Sequence, residues 1–295
     1  ACACLTGFSA CNDFLEEKPK SSLTAPDYYQ TEAQAQANVN YLYRTGASSK
    51  LTGAGSAYVG PFASITGQLT GYFTNSYEGQ ELTCKYSREL TRQQNTMTVS
   101  VTIDGIWDDC YKAINVANGA IKYIPEISMD QSLANRLIGE AKFFRAWNES
   151  MENMYLERAS VEQVYAQVES DLKDAVNALP AATFYNNSNR ITKYAAAMVL
   201  TSVYMQQGKY ADAASAVKTV IDSPHALATN NDLALGSAYN KIRTTDGLAE
   251  SIYSYEYNAT ISNGGWWPTY AFNSAATAIF GTYSIFERTY GPTNQ

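Results

Sequence analysis

Residues 106–147 read IWDDCYKAINVANGAIKYIPEISMDQSLANRLIGEAKFFRAW, and their spacing decides the fold. Trp107, Cys110, Ile114, Ala117, Ile121 and Ile124 recur three or four positions apart, which places them on one stripe of a helix. Asp108, Asp109, Lys112 and Lys122 fall largely off it. Pro125 stops the run, because a proline inside a helix removes a hydrogen bond and clashes with the preceding turn. Leu133, Leu137, Ala141 and Phe144 then begin a second stripe after a short polar link. Two amphipathic helices joined so closely pack antiparallel, each covering apolar surface the other cannot leave in water.

Working outward, the same signals recur. Thr31-Glu32-Ala33-Gln34 has the pattern of a capping box and opens a helix to about Thr45, with Gly46 placed to close it. From Ala47 to Asn95 the periodicity disappears, and Gly, Ser, Thr and Tyr predict one long irregular loop. Thr96 to Ile103, TMTVSVTI, alternates at period two and predicts a short extended piece. Ser160-Val161-Glu162-Gln163 is a second capping box. It precedes a stripe of Val161, Val164, Val168, Leu172, Ala175 and Leu179, closed by Pro180. Within Ile191–Ser223, Leu200, Tyr204, Gly208, Tyr210 and Ala213 match tetratricopeptide spacing, and Ala195 to Ala197 let two helices approach closely. Consecutive helix pairs of this kind stack into a short solenoid. Beyond Pro224, Leu248–Tyr257 (LAESIYSYEY) alternates like a strand, and Asn263 to Tyr270 (NGGWWPTY) forms an aromatic loop. The fold class expected is mostly α, a tetratricopeptide-like helix-pair solenoid with long irregular loops and little β.

Composition narrows the function. The 295 residues suffice for one large domain or two. A net charge of −7 and a pI near 4.9 argue against nucleic acid, which needs a basic patch. Only 17% of residues are charged while 23 are tyrosine, a balance suited to uncharged ligands outside the cytoplasm. No stretch reaches the roughly 18 apolar residues that span a bilayer. The five cysteines show no metal spacing, and a single histidine, His225, leaves nothing for a zinc site or a histidine triad. Cys110, on the apolar stripe, reads as a buried thiol, with a bridge to Cys84 as the other possibility. No nucleophile elbow, P-loop or dinucleotide fingerprint is present. Asp108 and Asp109 sit side by side on a helix edge, whereas a glycosidase needs carboxylates opposed across a cleft. The chain is therefore read as no enzyme, with no cofactor and no metal.

The N-terminus, ACACLTGFSAC, reads as the tail of an apolar segment with small residues before Cys11, the pattern of a lipoprotein signal. Residues 1–10 are the end of that signal segment, and Cys11 is the expected lipidation site. Its charged leading part and initiator Met are absent, which suggests a chain cut at its N-terminus.

Two motifs, Trp107-Asp-x-Cys-Tyr-Lys-Ala-Ile-Asn-x-Ala-Asn118 and Gly139-Glu-Ala-Lys-Phe-Phe-Arg-Ala-Trp147, resemble the hallmark of the SusD/RagB family, outer-membrane nutrient-binding lipoproteins of Bacteroidetes. Cys11-x-Asp-Phe-Leu-x-x-x-Pro19 and the run from Arg158 to Pro180 are also similar to that family. After Trp147 the chain departs from it, because a block between the helix and Arg158 is missing. The resemblance implies residues 11–225 as the SusD-like helical domain and 226–295 as the start of an incomplete C-terminal region. It further implies a surface-exposed outer-membrane lipoprotein that captures oligosaccharide and delivers it to a SusC-like TonB-dependent transporter. Peptide capture, as in RagB-like members, is the alternative, and a tetratricopeptide scaffold is a further one.

A sugar ring has an apolar face and a polar rim, so an aromatic platform beside amides and hydroxyls suits it. Trp266, Trp267 and Tyr270 near Asn263 and two glycines have that composition. Tyr72 and Tyr77 in the long loop complete the candidate ligand site. The competing expectation is that one of the tryptophans fills the core; in an extended segment two neighbours cannot both face inward.

Overall fold

A computed structural model describes residues 28–43, 73–74, 97–152, 160–229, 238, 241–242, 245, 247–254 and 291–292 of the chain. Six α-helices lie among the described residues: α1 (Glu32–Leu42), α2 (Met97–Tyr123), α3 (Gln131–Glu152), α4 (Val161–Ala178), α5 (Lys193–Gln206) and α6 (Tyr210–Ile221). Among the same residues a two-residue antiparallel ladder joins β1 (Phe73–Thr74) to β2 (Gly291–Pro292). Consecutive helices pack on one another from α2 through α6, and α1 lies against both α2 and α3. This is the helix-pair solenoid expected, mostly α and with little β.

Local chemistry sets the boundaries. Thr31 caps α1 by accepting the Gln34 N–H at 3.3 Å, and Tyr43 is the C-cap beyond Leu42. Thr45 and Gly46, expected to end that helix, lie outside the described residues. Pro125 converts the end of α2 into a 3-10 turn, Ile124–Glu126. Asp130 then accepts the Leu133 N–H at 2.8 Å and starts α3. The Ser160 box is formed in both directions: Gln163 N–H donates to Oγ at 3.2 Å, and Ser160 N–H donates to Gln163 Oε1 at 2.9 Å. Gly208, at φ +70°, makes the left-handed turn between α5 and α6, where Lys209 N–H reaches back to the Tyr204 carbonyl.

The core follows the predicted stripes, with exceptions. Cys110, Ile114, Ala117 and Ile124 are buried from the first stripe, while Trp107 and Ile121 are half-buried. Leu137, Ala141 and Phe144 are buried from the second, with Leu133 at its edge. Val168, Leu172, Ala175 and Leu179 carry the α4 face, but Val161 is 52% exposed because the first turn projects past its neighbours. Tyr210 is 67% exposed at the start of α6, outside the seam where Ala213 and Ala195–Ala197 pack.

Two strand expectations fail. TMTVSVTI opens α2 as helix from Met97. Its alternation is short, and extending an existing helix adds a hydrogen bond per residue without a new nucleus, which outweighs the weak preference of Val and Thr for strands. The described part of LAESIYSYEY, residues 248–254, is turn and bend: Ser251 N–H donates to the Leu248 carbonyl, and Ile252 and Tyr253 pack on the helical core. Their apolar side chains are covered by helices, so a sheet partner is not required.

Candidate functional site

Trp266, Trp267, Tyr270, Tyr72, Tyr77 and the lipidation candidate Cys11 all lie outside the described residues, as does Cys84. The chain flanking two of these groups is described. Phe73, which follows Tyr72, pairs with Pro292, and Thr74 pairs with Gly291. The long loop that carries Tyr72 and Tyr77 is thereby joined to the chain beyond the Trp266–Tyr270 loop. On the near side of that loop, Tyr253 meets Trp147 edge-on at 6.0 Å and Phe184 at 5.4 Å. Of the chain on either side of residues 255–290, Tyr253 is thus held on the helices and residues 291–292 on β1.

The motif residues Gly139–Trp147 form the frame beneath. Gly139 sits where a Cβ would come within 2.8 Å of the Ala178 Cβ, so α3 and α4 approach as closely as they do only with glycine there. Phe143 and Phe144 are buried, and Trp147 packs on both rings. Lys142 pairs with Asp174 on α4. Arg145 grips the buried Asp171 with two parallel bonds, Nε to Oδ2 at 2.6 Å and Nη2 to Oδ1 at 2.7 Å. Its Nη1 reaches Asn118 Oδ1 on α2 at 2.7 Å, so one guanidinium ties three helices.

Glu140 anchors a second interior network. Its carboxylate is fully buried and accepts from Arg190 Nε at 3.0 Å, from Arg190 Nη2, and from the Tyr43 hydroxyl at 2.9 Å. Tyr43 in turn accepts the Ile191 N–H at 3.1 Å, and Arg190 Nη1 donates to Asn40. The guanidinium also lies 5.0 Å from the centre of the Tyr43 ring. Arg190 is delivered by a tight turn in which Ser188 and Asn189 both take positive φ and Asn187 donates to the carbonyls of Arg190 and Ile191. Burial, with the Glu140 charge second, keeps the Tyr43 hydroxyl protonated far above the ordinary tyrosine range.

Sequence reasoning found Gly139–Trp147 as a resemblance but not these roles. A glutamate one position from the α3 stripe is the only local sign that Glu140 faces inward; its partner Arg190 comes from a distant turn. In both networks the charged groups are spent on one another. They bind helix to helix, and metal-ligating clusters are absent among the described residues. Among those residues, no helix is long and apolar enough to cross a membrane.

The comparisons agree with this architecture. The SusD-like family described as "Starch-binding associating with outer membrane" matches residues 13–205, and the chain belongs to that family. A SusD-like protein P2 of Formosa agariphila is 24% identical over 92% of this chain and 54% of its own length. The chain thus spans about half the length of that curated relative. A SusD superfamily protein of Parabacteroides distasonis superposes with a TM-score of 0.69 at 17% identity, covering 92% of this chain and 59% of the other. The surface glycan-binding protein A of Bacteroides uniformis superposes at 0.61 with 20% identity, covering 83% and 55%. At these identities the superpositions establish the fold.

Proposed function

We propose that this chain belongs to a surface-exposed outer-membrane lipoprotein that captures glycan and passes it to a SusC-like TonB-dependent transporter. The observation that carries the reading is the match of residues 13–205 to a starch-binding, outer-membrane-associating family. Residues 11–225 would supply the rigid helical frame, and 226–295 would begin the region that completes the ligand face. Trp266, Trp267 and Tyr270 would stack on sugar rings, with Tyr72 and Tyr77 brought alongside. The β1–β2 ladder supports that grouping, since it joins the chain adjoining Tyr72 to the chain beyond Tyr270. Cys11 would carry the lipid. Binding without turnover is the expected mode.

Affinity electrophoresis of the soluble chain lacking Cys11, through gels carrying starch, laminarin and other polysaccharides, tests the reading. Retardation by one glycan, abolished in Trp266→Ala or Trp267→Ala with the circular dichroism unchanged, is the expected result. No retardation by any glycan would shift the cargo to peptide. Release of reducing ends on incubation with the same glycans would overturn the non-enzymatic reading. Labelled palmitate that fails to enter the full-length protein in a native host would remove the lipid anchor.

A further inference from the structure

Around Arg145, the interface of α3 and α4 contains one carboxylate more than that cation can serve. Asp171, on α4, is saturated: Oδ1 accepts from Arg145 Nη2 and from Gln167 Nε2, and Oδ2 accepts from Arg145 Nε. Arg145 is equally committed, because its remaining nitrogen Nη1 donates to Asn118 on α2. Glu149 lies one turn beyond Arg145 on α3. Its Oε2 is buried and has no hydrogen-bond partner among the described residues. The charged groups acting on it are Asp171 from α4 and Arg145 from its own helix; Asn118 and Gln167, from α2 and α4, are neutral.

We propose that Glu149 is a proton-operated latch on the last turn of α3. Neutral, it lets that turn lie against α4; ionised, it is driven from Asp171 and the turn opens. Water meets the charge in the open turn, whereas the closed turn leaves the half-buried carboxylate with Oε2 covered and no donor on it. The closed latch therefore binds a proton more tightly. Burial first, then the Asp171 charge, raise its pKa from the ordinary 4.5 to about 7, against the opposing pull of Arg145. The sign follows. A carboxyl whose pKa is raised in the closed form contributes fully below about 4.5, loses its contribution as pH rises toward 7, and contributes nothing above that.

Hydrogen exchange of the whole chain tests this, read as protection factors for peptides covering residues 145–152 and, as reference, residues 133–144. The expected result is an opening constant for the 145–152 peptides that rises with pH between about 5 and 7, by up to tenfold per pH unit for one proton, and then levels off. The reference peptides should stay flat. Glu149→Gln and Glu149→Ala should each abolish the slope, so that failure of one variant to fold leaves the other. A flat profile in the unmodified protein, or an undiminished slope in the variants, would overturn the proposal.

Discussion

Glu140 is a carboxylate with no exposure at all, held in place by Arg190 and by the Tyr43 hydroxyl. Arg190 is its close ionic partner and Arg136 Nε lies farther off, 3.8 Å from Oε1, so removing Arg190 leaves a buried charge compensated only at a distance, which costs up to about 3–5 kcal/mol. Arg190→Ala should therefore lower the midpoint of urea unfolding sharply, whereas Glu140→Gln combined with Arg190→Met should recover much of the loss. The neighbouring Gly139 gives a second expectation. Alanine there would gain about 1 kcal/mol of helix propensity but drive its Cβ to 2.8 Å from that of Ala178, where overpacking costs about 1–3 kcal/mol. Gly139→Ala should destabilise on balance, and pairing it with Ala178→Gly should relieve the clash. At this scale the sequence was only partly legible. Leu137, Ala141 and Phe144 announced themselves by spacing, since burial of apolar residues on a helix is periodic. Glu140 did not, because its acceptability inside depends on Arg190, fifty positions away.

The helices were easier to read where their signals are local. Ser160 and Gln163 satisfy each other's backbone groups within one turn, and the box is present as the spacing foretold. Ser160→Ala should cost about 1 kcal/mol, measurable as a lower melting temperature, with a second readout in faster exchange of the Gln163 amide. TMTVSVTI misled for the complementary reason. Its alternation is a property of eight residues, while their conformation is settled by continuity with the packed helix that follows. The tetratricopeptide spacing is realised with Gly208 at the left-handed turn and Ala213 in the buried seam, while Tyr210, at the start of α6, is mostly exposed. LAESIYSYEY also misled, because Ile252 and Tyr253 find their cover on helices and not on a sheet.

On the scale of the molecule, the helices and the chain that follows them are not separable by composition alone. Ala226 N–H donates to the Ala249 carbonyl, Ala228 N–H to Glu250, and Ile252 and Tyr253 lie on the same core as α3 and α5. A chain ended after residue 225 should retain its helical circular dichroism. It should nevertheless lose about 2 kcal/mol, from two half-buried side chains each worth about 1.5–3 kcal/mol when fully covered. Urea titration followed at 222 nm would show that drop. The solenoid was legible because its periodicities are local. The ligand face proposed above rests on composition alone, Trp266-Trp267 and scattered tyrosines, because their sequence carries no period that fixes which ring points where. The β1–β2 ladder has a kinetic consequence. Helix pairs adjacent in sequence close short loops and form early, whereas pairing Phe73 with Pro292 closes about three quarters of the chain and carries a larger entropy of closure. The ladder should form last, once residue 292 has emerged. The helical scaffold would then be mature before residues 73–74 and 291–292 are joined, and the ligand face proposed above would be completed as the final event of folding.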